Sequence, residues 1–259
     1  MSTQVDGIHL VLAATDPKDA MAEAHQVVGI QHAMGWTNEA VPTHTLRTGG
    51  LMEASGLVDL GYLLLAKNLS GKVVGFARVT TTGNSGEHFL HELGVLPDLQ
   101  HAGLGKLLME GVGGISLEKG ASTLLFTYNS LNARNAYFYL HKCKVKGLRL
   151  LKNFYGVSSE GNSFSMLAKL ELQKEPEEEL EEEIAIEVVA EAAQFTGQPR
   201  FKVPVPAEMF SYIAFNHPLN RLIEALLMDL LANGDYRVTD YHRANKHFWV
   251  FCRSEEFLG

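Results

Sequence analysis

The sequence predicts an α/β fold, a mixed central sheet flanked by helices, with a smaller α+β unit after it. Three observations carry this. Strand-like and helix-like runs over residues 5–172 follow the order β-α-α-β-β-β-α-β-α-β-β. Within that order, residues 88–127 read as a strand, a glycine-bearing turn, a helix and a second strand, a crossover that makes its two strands parallel. Finally, Glu-Pro-Glu-Glu-Glu-Leu-Glu-Glu-Glu at 175–183 is a like-charge block with a proline, too polar to offset the entropy of ordering by burial. It marks a linker, 173–183, between a first domain, 1–172, and a C-terminal unit, 184–259, with an acidic interaction tail as the minor reading. The C-terminal unit is small enough to be marginal alone and is expected to dock on the first.

Each element has its own signal. A first strand is expected at 8–13 and a helix beginning at Asp16-Pro17, with Ala20, Met21, Ala24, Val27, Val28 and Ile30 at helical spacing. Val41-Pro42-Thr43-His44 opens a second short helix ending near Gly49-Gly50. Runs 62–67 and 72–79 flank the hairpin turn Asn68-Leu69-Ser70-Gly71, and the polar turn 80–86 feeds a strand at 88–96. Leu104, Leu107, Leu108, Val112 and Ile115 form one helix face. Gly111, Gly113 and Gly114 weaken that helix, either for close packing on the sheet or for deformability. A strand at 122–127, a helix at 132–142 and strands at 144–152 and 164–172 follow. In the C-terminal unit, 184–189 reads as a strand, 201–206 as an extended Pro-rich segment, 219–231 as an amphipathic helix, and 236–241 with 247–252 as a closing hairpin.

Composition narrows the function. With 259 residues, 46% hydrophobic and 20% charged, the chain reads as soluble and globular, and its net charge of −8 argues against sequence-independent nucleic-acid binding. No stretch has the length of a membrane span and the first residues lack a basic leader, so the cytoplasm is the expected compartment. Cys143 and Cys252 have no metal-ligand spacing, so no metal is expected and buried reduced thiols are the favoured reading.

The chain is organised around residues 91–106, where an apolar strand turns at Pro97-Asp98 and delivers Gln100-His101-Ala102-Gly103-Leu104-Gly105 to a helix start. The first backbone N–H groups of a helix have no intrahelical partners and sit at the positive end of its dipole, and glycines let a phosphate come close. Two phosphate-loop patterns fail on spacing. A P-loop needs Ser or Thr after Gly105-Lys106, where Leu107 stands, and a dinucleotide fingerprint needs a third glycine or alanine at 108, which is leucine.

The remaining pattern, Gln-x-x-Gly-x-Gly, resembles the acyl-CoA signature of the GNAT N-acyltransferases, whose element order also matches throughout 5–172. The resemblance extends to Val41-Pro42-Thr43-His44, Leu93-Gly94-Val95-Leu96-Pro97, Leu131-Asn132-Ala133-Arg134-Asn135-Ala136 and Asn153-Phe154-Tyr155-Gly156. With the segments at 203–206 and 234–239, these are similar to a bacterial GNAT branch that carries an extra C-terminal region.

That resemblance implies an acyl-CoA-dependent N-acyltransferase, with acetyl-CoA or another acyl-CoA as cosubstrate and a small-molecule amine or amino acid as acceptor of an acetyl or succinyl group. It leaves room for a homodimer. The strand backbone at Leu93, Val95 and Leu96 would pair with pantetheine, and the strand at 122–127 would splay away to admit it. Gln100, His101, Ala102, Gly103, Leu104, Gly105 and Lys106 would hold the diphosphate. Asn132 would bond the cofactor amide or cap its own helix, and Asn135 belongs to the same cofactor set.

Transfer to an amine needs a proton acceptor, donors for the oxyanion and a proton for the leaving thiolate. The resemblance makes His91 the first base, against a structural histidine, and Glu92 the second. On an ideal strand these two point to opposite faces, so both line one cleft only if a bulge re-aims one. The family's thiolate-protonating tyrosine is replaced by Leu140; Tyr139 or Tyr137 is its substitute, against an aromatic core role. The competing function is a non-catalytic acyl-CoA-binding or sensing module, which the missing tyrosine favours. Within the C-terminal unit, His242 and Arg243 are candidates for an anionic substrate.

Overall fold

The computed structural model describes residues 5–36, 61–84, 86–129, 132–154, 164–173, 200–205, 218–232, 236–243 and 247–253. The chain divides into two compact units, Met1–Leu125 and Phe126–Gly259. The expected short helix at 41–50, the acidic run at 175–183 and the strand at 184–189 lie outside the described residues.

The first unit is an antiparallel meander of β1 (Ile8–Leu12), β2 (Tyr62–Asn68), β3 (Val73–Thr81) and β4 (Glu87–Val95), with a helix on each face. On one face lies α1 (Pro17–Ala33), where the Asp16 carboxylate accepts from the Lys18 and Asp19 amides and Pro17 occupies the first turn. Its Ala24, Val27 and Ile30 pack against Leu63, Leu65, Val73 and Phe76. Between β2 and β3 the Asn68 side chain accepts from Ser70 and Lys72 amides, and Gly71 takes the left-handed φ of 78° that the turn demands.

On the other face lies α2 (Leu104–Glu118). A Cβ on Gly111 would stand 2.5 Å from Leu10 Cδ1 and 2.9 Å from Leu64 Cδ2. Close approach to the sheet is therefore the use of that glycine, whereas Gly114 faces open space. The following strand, β5 (Thr123–Tyr128), begins with the Ser122 and Thr123 amides donating to Gly86 O, just before β4. The two strands thus start side by side, as a parallel pair should.

In the second unit α3 (Ala133–Ala136) runs into a π-helical turn, Tyr137–Lys142, where a regular helix was expected. The next strand, β6 (Lys146–Lys152), starts two residues later than the sequence indicates, because Lys144 sits at a left-handed φ of 54°. With β7 (Phe164–Glu171), β8 (Arg200–Val205), α4 (Pro218–Ala232), β9 (Tyr236–Arg243) and β10 (His247–Arg253) this unit has strand order β7-β6-β9-β10-β8, all antiparallel. The Pro-rich segment forms β8, at the edge of the sheet, where proline is tolerated. From α4, Leu226, Leu227, Leu230 and Leu231 are buried at helical spacing. Among the described residues no helix is long and apolar enough to cross a membrane.

Candidate active site

The site is built on β4, which has two functional ends. Its register against β3 runs Gly75↔Val95, Phe76↔Gly94, Ala77↔Leu93 and Arg78↔Glu92, then jumps to Val79↔Leu90. His91 is the extra residue, a β-bulge. Before the bulge His88 faces α2, with its Nδ1 3.0 Å from Ser116 Oγ, and so does Leu90, paired with Val79 in the row of Tyr62. Beyond the bulge the alternation is inverted. Glu92 faces α1, where its Oε1 accepts from Gln31 Nε2 at 2.8 Å and its Oε2 from Arg78 Nε at 2.6 Å. Leu93 and Val95 face α2 with their partners Ala77 and Gly75.

The bulged His91 itself lies on the α1 face. Its Nε2 is 2.9 Å from Thr80 Oγ1 and its ring packs on Phe89 with centroids 4.8 Å apart. The condition for His91 and Glu92 to share one face is met. Although the His91 side chain reaches solvent, partial burial first and the Arg78 guanidinium second lower its pKa to about 4. At neutral pH the imidazole is uncharged and carries a lone pair.

At the other end, Leu96 leads into a short 3-10 turn, Pro97–Leu99. Turn bonds absorb the amides of Leu99, Gln100 and Ala102, and Gln100 Nε2 donates to the Val95 carbonyl at 3.3 Å. His101 and Gly103 have left-handed φ values of 79° and 85°, and Gly103 is the N-cap of α2. Glycine brings no side chain to cap the helix, so the amides of Leu104, Gly105 and Lys106 point past its end without intrahelical acceptors. Such an end suits an anion. The Lys106 ammonium stands 3.8 Å from Glu110, one turn along the helix.

The remaining expected residues lie in the second unit. Asn132 caps its own helix, its Oδ1 accepting from the Arg134 and Asn135 amides at 3.0 and 3.3 Å, which settles the capping use of that oxygen. The Tyr139 ring packs on Phe126 and Tyr128, with centroids 4.8 and 5.1 Å away. Burial first, and then Tyr139, raises the pKa of Tyr128. Tyr137 stacks on His141 instead, and Leu140 is fully buried. His242 and Arg243 end β9.

Sequence reasoning missed Arg78, Thr80 and Gln31. A signal existed for Gln31: it stands four residues after Val27, inside the apolar stripe of α1, where a polar residue needs a reason.

A sequence model described as the acetyltransferase (GNAT) family matches residues 32–144, which include all of β4 and its loop. The chain carries a GNAT-family acetyltransferase domain. The matched stretch is thus an N-acetyltransferase domain, with an acyl-CoA as cosubstrate. Its fold is also that of solved structures. A Salmonella typhimurium protein, assigned as an acetyltransferase and solved with its cofactor acetyl-CoA, is 18% identical, aligns 66% of this chain with 99% of its own, and gives a TM-score of 0.51. One from Acinetobacter baylyi ADP1, likewise assigned, is 12% identical over 66% of this chain and 97% of its own, also at 0.51. No curated protein matches the chain in sequence.

Proposed function

We propose that the GNAT domain transfers an acetyl group from acetyl-CoA to the primary amine of a small molecule or amino acid, by direct attack in a ternary complex. The observation that carries this is the bulge at His91. It places an uncharged imidazole and the Arg78-bound Glu92 carboxylate on one face of the strand that ends in the uncapped start of α2.

In this reading the amides of Leu104, Gly105 and Lys106, with the loop from Gln100, take the diphosphate, and the backbone of Leu93, Val95 and Leu96 takes the pantetheine. The amine nitrogen attacks the thioester carbonyl carbon. Once the C–N bond forms, the nitrogen becomes far more acidic than the parent ammonium, so a weakly basic imidazole can take its proton. The C–S bond then breaks, and the thiolate takes a proton from water, since Leu140 stands where the family's tyrosine would be. Glu92, held by Arg78 and Gln31, is the second proton acceptor.

Thiol release from acetyl-CoA across a panel of primary amines and amino acids tests the proposal. Transfer predicts thiol appearing with at least one acceptor. Calorimetric binding of acetyl-CoA without thiol from any of them would refute transfer and leave the binding-module reading, which the replaced tyrosine favours. Succinyl-CoA in the same assay identifies the acyl group.

A further inference from the structure

The strongest unexplained atom in the first unit is Gln31 Oε1. Gln31 is fully buried on α1. Its Nε2 donates to Glu92 Oε1, and because a carboxylate only accepts, the amide must turn its nitrogen there and its oxygen away. That oxygen is buried and has no hydrogen-bond partner among the described residues. A buried acceptor left without a donor costs stability, and such atoms call for an explanation at functional sites.

The charges nearby restrict which donor suits it. Arg78 already balances Glu92, through one contact to the carboxylate oxygen that Gln31 does not use. An added ammonium would leave this largely buried group with a surplus positive charge. An uncharged primary amine adds no charge. It brings two N–H donors and keeps the lone pair that attack requires.

We propose that Gln31 Oε1, beside Glu92, accepts an N–H of the acceptor's uncharged primary amine, making Gln31 the residue that selects the amine as its free base. The inference rests on the proposed amine acceptor and goes beyond it by naming the group and the ionisation state recognised.

The test follows the Gln31 side-chain amide by NMR in the full chain. Three probes are titrated at neutral pH: trifluoroethylamine, mostly uncharged there; ethylamine, cationic there; and N,N-dimethyltrifluoroethylamine, which has no N–H. The expected result is saturable shifts with trifluoroethylamine at about tenfold lower concentration than with either of the others, one hydrogen bond's worth of discrimination. Gln31→Met, which lacks that amide and is followed through the backbone amides of Glu92 and Leu93 instead, should abolish that tenfold preference while calorimetric affinity for acetyl-CoA stays the same. Equal binding of the N–H-free amine, or a preference that survives in Gln31→Met, overturns the proposal and makes a resident water the donor. If the variant does not fold, the wild-type comparison of the three probes decides alone. Amine binding as expected without thiol release refutes transfer but keeps the Gln31 assignment. Thiol release with an unchanged amine KM in Gln31→Met refutes the assignment and keeps transfer.

Discussion

Two histidines three residues apart on β4 show how one inserted residue separates structure from chemistry. His88 is 5% exposed and sits beside Ser116, whose hydroxyl is 2.8 Å from Tyr62 O–H, while that phenol donates to the Val112 carbonyl at 2.9 Å. This chain ties β4 and β2 to α2. His91 reaches solvent on the opposite face, beside Thr80 and Phe89. Residue type does not distinguish them. The bulge does, because without it the strand would alternate through 88, 90 and 92 and would turn Glu92 toward α2, away from Gln31.

The comparison is sharpest when each ring is removed. His91→Ala should lower kcat/KM for the amine by roughly two to four orders of magnitude if the imidazole is the proton acceptor. It should change the urea midpoint far less than the activity, since the side chain reaches solvent. The next largest effect is the mirror image: His88→Ala should cost about 2–3 kcal/mol of unfolding free energy, through a cavity and a weakened Ser116 network, with kcat within a fewfold of wild type. Steady-state kinetics and urea titration of both variants check the pair. A large stability loss in His91→Ala with unchanged turnover would make it the structural histidine of the two.

The same contrast marks what the sequence could reveal. Local signals were legible wherever a residue's own chemistry fixes its neighbours: Asp16 capping α1, Asn68 and Gly71 folding the hairpin, Gly103 starting α2. The strand at 87–95 was legible too. Its bulge was not, because a period-2 pattern carries no information about pairing, and the jump is defined only against Arg78 and Val79 of β3. Arg78 was hidden for the same reason, as was the partner of Gln31, the two contacts to Glu92 spanning 14 and 61 residues of sequence. The π-helical turn at 137–142 was equally hidden, since its apolar and aromatic spacing is compatible with an ordinary helix.

A smaller effect tests how Arg78 separates the two histidines. In Arg78→Met the first cause of the His91 shift, burial, remains, while the second, the guanidinium charge, is gone and Glu92 loses its counter-ion. The imidazole midpoint, followed by NMR, should rise from about 4 toward the ordinary 6.5 without reaching it. A midpoint that stays near 4 would leave burial as the whole cause.

The smallest effect is on stability against pH. The folded chain holds His91 neutral down to about 4, whereas the unfolded chain protonates it near 6.5. Between those values the unfolded state binds more protons, so this residue makes the fold less stable as pH falls from about 6.5 toward 4 and contributes nothing above that window. His91→Gln should therefore flatten the acid side of the urea-midpoint profile within that window. Because the ring reaches solvent, the flattening should be modest, and it should be smaller still in an Arg78→Met background, where the folded pKa has already moved toward the unfolded one. A profile in which His91→Gln steepens the acid side would mean that protonated His91 is stabilised in the fold, and would contradict a neutral imidazole at this bulge.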